Sequence, residues 1–147
     1  MTDPYNTGTI PPYIYYDKKQ IKGEIIAVMD ALLENRALKI IPQPTRVLQK
    51  YEIIELITTE NNSDSNEIIN SIAYLGFIEI QEGGVLRSKD TLSISGHIIG
   101  EVLGFDETHM PNHLNVIIKV KQRKSGKDLH LIVGKKLLFT SLKLISI

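Results

Sequence analysis

Between His113 and Lys121 the chain alternates strictly, with Leu114, Val116, Ile118 and Val120 on one side and His113, Asn115, Ile117, Lys119 and Lys121 on the other. A period of two is the pleat of a β-strand that turns one face to a core and the other to solvent. Because a lone strand leaves its backbone groups unpaired, such a segment demands a sheet around it. His113 is thereby assigned to the polar face.

The neighbouring segments supply that sheet. Thr91–Ile94 and His97–Leu103 flank the short-turn pair Ser95-Gly96, a hairpin signature. Beyond the alternating strand, residues 122–127, which include Ser125-Gly126, are expected to turn the chain into a strand at Leu129–Val133, and Leu137–Ile147 supplies apolar closing strands. The second half reads as β throughout.

The first half is more mixed. Residues 1–17 combine Pro4, Pro11 and Pro12 with Tyr5, Tyr13, Tyr15 and Tyr16, which reads as an extended N-terminal arm preceding a single domain over 18–147. The β-branched run near Ile25–Val28 suggests a strand to Met29, followed by a short helical turn over 30–35 and a strand at Ala37–Ile41 that Pro42 and Pro44 close. Val47–Thr59 contains another strand. Asp64 and Glu67 then form a capping-box pattern ahead of Ile68, Ile72 and Leu75, with Gly76 as a stop, which predicts a helix over residues 65–75. Phe77–Gln81, Gly83-Gly84 and Val85-Leu86 read as a hairpin. The expected fold is therefore mainly β (α+β), a small barrel-like domain of antiparallel strands with one helix. A helix followed by a hairpin also admits a winged-helix-like N-terminal part, but residues 65–75 contain no Lys or Arg with which to meet a phosphate backbone.

Composition narrows the functional classes. The 17 basic and 17 acidic residues cancel, so no global field favours nucleic acid. With no cysteine there is no disulfide framework and no thiolate metal site, in keeping with a cytoplasmic location. No apolar run approaches the ~20 residues of a membrane span.

All four histidines lie between positions 97 and 130. Two of them belong to the run Gly104-Phe105-Asp106-Glu107-Thr108-His109-Met110-Pro111-Asn112-His113, beside adjacent carboxylates. The His-x-x-x-His spacing is that of helical zinc motifs, but Pro111 disfavours helical geometry and makes this a loop between two strands. Glu107, His109 and His113 are the catalytic or binding candidates. Asp106, His109 and His113 are the candidate ligands of a divalent metal, with Glu107 as general base. Alternatively Asp106 and Thr108 make turn and capping hydrogen bonds, and His113 is a solvent-facing strand residue. His97 with Glu101, His130, and the basic cluster Lys119, Lys121, Arg123, Lys124 and Lys127 fit ordinary surface roles.

The order of elements resembles the sorbitol/glucitol-specific IIA component of the bacterial phosphotransferase system, a small β-barrel family, over roughly residues 22–140. The strand, short helical stretch and strand at 23–41, the Pro42–Pro44 loop and the tyrosine-bearing strand Tyr51–Leu56 resemble its first part. The stretch 98–121, with Asn112-His113 in the place of a Gly-His pair, resembles its later part. The resemblance implies a barrel and a link to sugar uptake or its regulation. In that family a histidine follows the tyrosine, whereas residues 51–60 contain none, so phosphotransfer is not carried over. The expectation is a divergent bacterial branch: a homo-oligomeric barrel module binding a small metabolite or protein partner through the 105–113 loop. The alternative is a small metal-dependent hydrolase or isomerase built on the same loop.

Overall fold

The computed structural model describes residues 19–61 and 68–141. The N-terminal arm, the capping-box pair Asp64 and Glu67, and the last part of the closing strand segment fall outside those residues.

Among the described residues eleven strands follow one another: β1 (Ile21–Leu33), β2 (Leu38–Lys39), β3 (Thr45–Leu48), β4 (Ile53–Thr59), β5 (Ile68–Ile69), β6 (Ile72–Glu82), β7 (Gly84–Arg87), β8 (Thr91–Ile94), β9 (His97–Asp106), β10 (Leu114–Lys119) and β11 (Lys136–Thr140). Seven of them close a barrel in the order β1-β11-β8-β9-β10-β4-β6, while β2-β5 and β3-β7 form separate two-stranded ribbons. All barrel pairings are antiparallel except β10 with β4, which run parallel from Leu114 opposite Ile54 to Lys119 opposite Thr59. The mainly β barrel expected from the sequence is present.

The barrel interior is filled by alternate residues of these strands, among them Ile54 and Leu56 of β4, Leu114, Val116 and Ile118 of β10, Phe105 of β9 and Phe139 of β11. A second apolar cluster joins Ile57 of β4, Ile117 of β10 and Ile72 of β6 to Leu38, Ile40 and Ile69. Residues 57 and 117 are out of phase with the interior set, so this cluster lies on the outside of the barrel wall. The β2-β5 ribbon covers it. Gly104 makes the approach possible, since a Cβ there would stand 2.5 Å from Ile40 Cγ2.

The helix expected over residues 65–75 does not form: among the described residues there is no helix, and Ile68–Ile69 and Ile72–Leu75 are strand. The reason is tertiary. Ile72, Ala73 and Tyr74 pair with β1 on one side, and Ala73 and Tyr74 with β4 on the other, and this two-sided ladder outweighs a weak helical preference in an isoleucine-rich segment. Gly76 is not a helix stop but a close approach, because a Cβ there would lie 2.0 Å from the Ala27 carbonyl oxygen. The winged-helix alternative falls with the helix. Residues 30–33 continue β1 instead of turning. Val85 and Leu86 pair with Val47 and Arg46 of β3, not back onto β6, so the Gly83-Gly84 hairpin is also corrected.

The hairpin at Ser95-Gly96 is present, with β8 and β9 antiparallel and both turn residues at positive φ (50° and 83°), the geometry of a two-residue turn that matches strand twist. Residues 129–133 form no strand. The chain from β10 to β11 instead crosses the barrel wall, with Gly126 N–H donating to Tyr74 O (3.0 Å) and Lys127 N–H to Met29 O (3.1 Å). No helix among the described residues is long and apolar enough to cross a membrane.

Candidate functional site

The β9–β10 connection is a tightly folded loop. Met110 N–H donates to Glu107 O (3.0 Å), and Asn112 and His113 N–H donate to His109 O (2.8 and 3.2 Å). The Met110–Pro111 peptide is cis. These turns bring the rings of His109 and His113 together, centroids 5.1 Å apart and tilted by 31°. Phe77 of β6 meets His113 edge-on at 5.1 Å.

Register then brings other elements beneath and beside the two imidazoles. Asn115 of β10 pairs with Glu55 of β4 on one side and Asp106 of β9 on the other, and Glu55 pairs with Phe77 of β6. Paired residues point to the same side, so these four form a row across the outer wall. Glu55 is only 5% exposed, and His113 Nε2 lies 3.3 Å from its Oε1. The other His113 nitrogen, Nδ1, is 2.6 Å from Asn112 Oδ1.

Arg36 enters from the link between β1 and β2. Its backbone is clamped to the turn before β6, since Arg36 N–H donates to Asn70 O (3.2 Å) and Ala37 N–H to Asn70 Oδ1 (3.1 Å). The side chain donates from Nε to the Tyr74 hydroxyl and from Nη2 to His109 Nε2, both at 2.6 Å. A guanidinium can only donate, so His109 Nε2 accepts and its ring carries the proton on Nδ1.

Electrostatics follow burial. Desolvation pushes the Glu55 carboxyl above the ordinary glutamate value, with the nearby Arg36 charge pulling the other way. Desolvation also lowers His113, which the Asn115 side chain offsets in part. Both directions favour an uncharged carboxyl facing a neutral imidazole. Asn115 donates from Nδ2 to Asp106 Oδ1 at 3.0 Å.

Asp106 has a different role from the histidines. It is 1% exposed and accepts from Lys39 N–H (2.9 Å), Thr108 N–H (2.9 Å), Thr108 Oγ1 (3.0 Å) and Asn115 Nδ2 (3.0 Å). Desolvation raises its pKa, but these bonds together outweigh it and hold the carboxyl below the ordinary aspartate value. It fastens the loop and β2 to the barrel. Glu107 forms an ion pair with Arg46 of β3, Nη1 to Oε2 2.5 Å. Of the residues singled out from the sequence, His109 and His113 are therefore side by side, Asp106 is saturated beneath them, and Glu107 is held by Arg46. Among the described residues no group of three or more His, Cys, Asp or Glu side chains could hold a metal ion.

Arg36, Glu55, Tyr74 and Asn115 were not anticipated. Glu55 did leave a signal, a lone carboxylate inside the apolar run Ile53-Ile54-Glu55-Leu56-Ile57, where burial on both faces of a strand makes a charge costly. Arg36 left none, because only the fold carries it to His109.

These features define a small closed β-barrel bearing an arginine–tyrosine–imidazole cluster on its outer wall over a buried carboxyl. The chain belongs to a protein family described as "Family of unknown function (DUF6917)", whose model matches residues 15–140, a stretch that includes every strand and every residue of the cluster. No curated protein and no solved structure matches the chain.

Proposed function

We propose that this barrel is a binding module for a small metabolite, which docks against the 105–113 loop at His109 and His113 with Arg36 and Tyr74 completing the site. The observation that carries it is convergence: polar side chains from the β1–β2 link, β4, β6 and the β9–β10 loop meet at one place, over a carboxyl that is 5% exposed. A barrel needs none of these contacts to close, and a buried carboxyl opposes stability unless something is gained by it. His109 is exposed while Glu55 is buried, so a ligand would meet the imidazole and guanidinium first and Glu55 only through His113.

The test is a ligand panel of small carboxylates, phosphates, neutral sugars and nucleosides, read by histidine ring resonances in NMR. A saturable shift of His113 that is lost in Arg36→Ala/His109→Ala supports the module. Shifts of equal size in the double variant would sink it.

A further inference from the structure

We infer that the ligand of this site is a small oxyanion, a carboxylate or phosphate group, gripped by Arg36, Tyr74 and His109; the inference rests on the binding role proposed above. The argument is one of unused valences. Arg36 donates from Nε to Tyr74 and from Nη2 to His109, which leaves both N–H groups of Nη1 and one of Nη2 without a protein acceptor among the described residues. The Tyr74 hydroxyl accepts from Arg36, so its own proton is free to donate. His109 accepts at Nε2, so Nδ1 is a donor as well. Apart from a second lone pair on the Tyr74 oxygen, the open positions on these three side chains are donors. The acceptors nearby, Glu55 and Asn115, are closed off at 5% and 0% exposure. Only an acceptor-rich group can complete such a set.

Charge points the same way. Arg46 and Arg123 each hold a carboxylate at 2.5 Å, Lys22 and Lys127 do so at 3.5 and 3.6 Å, and Lys136 pairs with Glu24. Arg36 differs, since both of its side-chain partners are uncharged, a tyrosine and an imidazole. Its charge does act on Glu55, a carboxyl that burial favours in its neutral form. A partly buried guanidinium with no carboxylate paired to it among the described residues favours an anion as its partner. The planar fork, already oriented by Tyr74 and His109, matches a carboxylate or phosphate edge.

The experiment titrates the whole chain with sodium phosphate and with sodium succinate at fixed ionic strength, following His109 and His113 resonances, with glucose as the neutral control. Saturable shifts with either anion and none with glucose are expected. Arg36→Ala should weaken binding at least about tenfold, the equivalent of one charge-assisted contact. Arg36→Lys, which keeps the charge but cannot bridge Tyr74 and His109, should fall between. Tyr74→Phe, which leaves the barrel packing in place, should also weaken it. Binding of glucose without either anion, or anion affinity unchanged in Arg36→Ala and Tyr74→Phe, would overturn the oxyanion assignment alone. If no member of the wider panel moves either histidine, the small-molecule role itself falls.

Discussion

The Arg36 guanidinium donates to His109 Nε2 over 2.6 Å, so a residue of the β1–β2 link fixes the tautomer of a residue in the β9–β10 loop. In free imidazole the proton favours Nε2. The wild-type chain should therefore show His109 Nδ1 protonated and Nε2 bare in long-range nitrogen–proton NMR, and Arg36→Ala should return the ring to the ordinary mixture. The same pattern in both proteins would mean that the contact does not set the tautomer.

Asp106→Ala tests the hub under the loop. It strips acceptors from the part-buried Lys39 N–H and the buried Asn115 Nδ2, and should cost about 2–4 kcal/mol in urea unfolding. Glu107→Ala breaks only the partly exposed pair with Arg46 and should cost under about 1 kcal/mol. Equal costs would place Asp106 on the surface with Glu107.

Glu55 gives stability a definite pH dependence. Burial holds its folded value above the ordinary 4.5, so the stabilisation tied to its proton is complete below pH 4.5 and is lost as pH rises through the raised value. The slope from one such group cannot exceed about 1.4 kcal/mol per pH unit. His113 acts in the opposite sense. Its folded value is lowered from 6.5, so its contribution is present above pH 6.5 and is lost as pH falls through the lowered value. Glu55→Gln removes only the first effect. The stability of Glu55→Gln relative to wild type should therefore grow with pH above 4.5 in denaturant titrations. A difference that is flat with pH would contradict a buried acid at this position.

Two glycines, both at positive φ (157° at Gly76 and 83° at Gly96), differ in crowding. Gly76→Ala drives a methyl to 2.0 Å from the Ala27 carbonyl oxygen and should cost more than about 2 kcal/mol. Gly96→Ala meets nothing within 4 Å but sits at φ +83°, and should cost only about 1 kcal/mol. Thermal unfolding of the two variants ranks them directly.

The alternation from His113 to Lys121 was enough to identify β10 and its inner face, and Ser95-Gly96 was enough to identify the β8–β9 turn. What alternation could not reveal is the cover on the other face. Ile117 and Asn115 read as solvent-facing, yet both are fully buried, because the β2-β5 ribbon and Asp106 close over them. That cover is assembled from residues far away in the chain, and no local pattern encodes it. Residues 65–75 failed for the related reason that helical spacing in an Ile-rich run is also compatible with a strand once two neighbours pair with it. Within the site, the histidine pair was visible as a cluster of residue types, but its partners Arg36, Glu55 and Tyr74 depend on strand order.

Ile117→Ala measures that hidden face. A covered isoleucine should cost about 2–4 kcal/mol, whereas truncating Lys119, one step along the same face, should stay near 0.5 kcal/mol or less. Equal and small effects would return this side of β10 to solvent.

The parallel pairing of β10 with β4 makes the cluster a reporter of one long-range seam of the barrel. Hairpins such as β8–β9 can zip from a local turn, but a parallel pair has no turn to start from and must wait for two remote stretches to meet. Glu55 lies on one lip of that seam, with Asn115 and His113 on the other. An open or half-sewn barrel therefore has no such cluster, and any molecule bound there would hold the seam shut, protecting the amides of both strands from hydrogen exchange together.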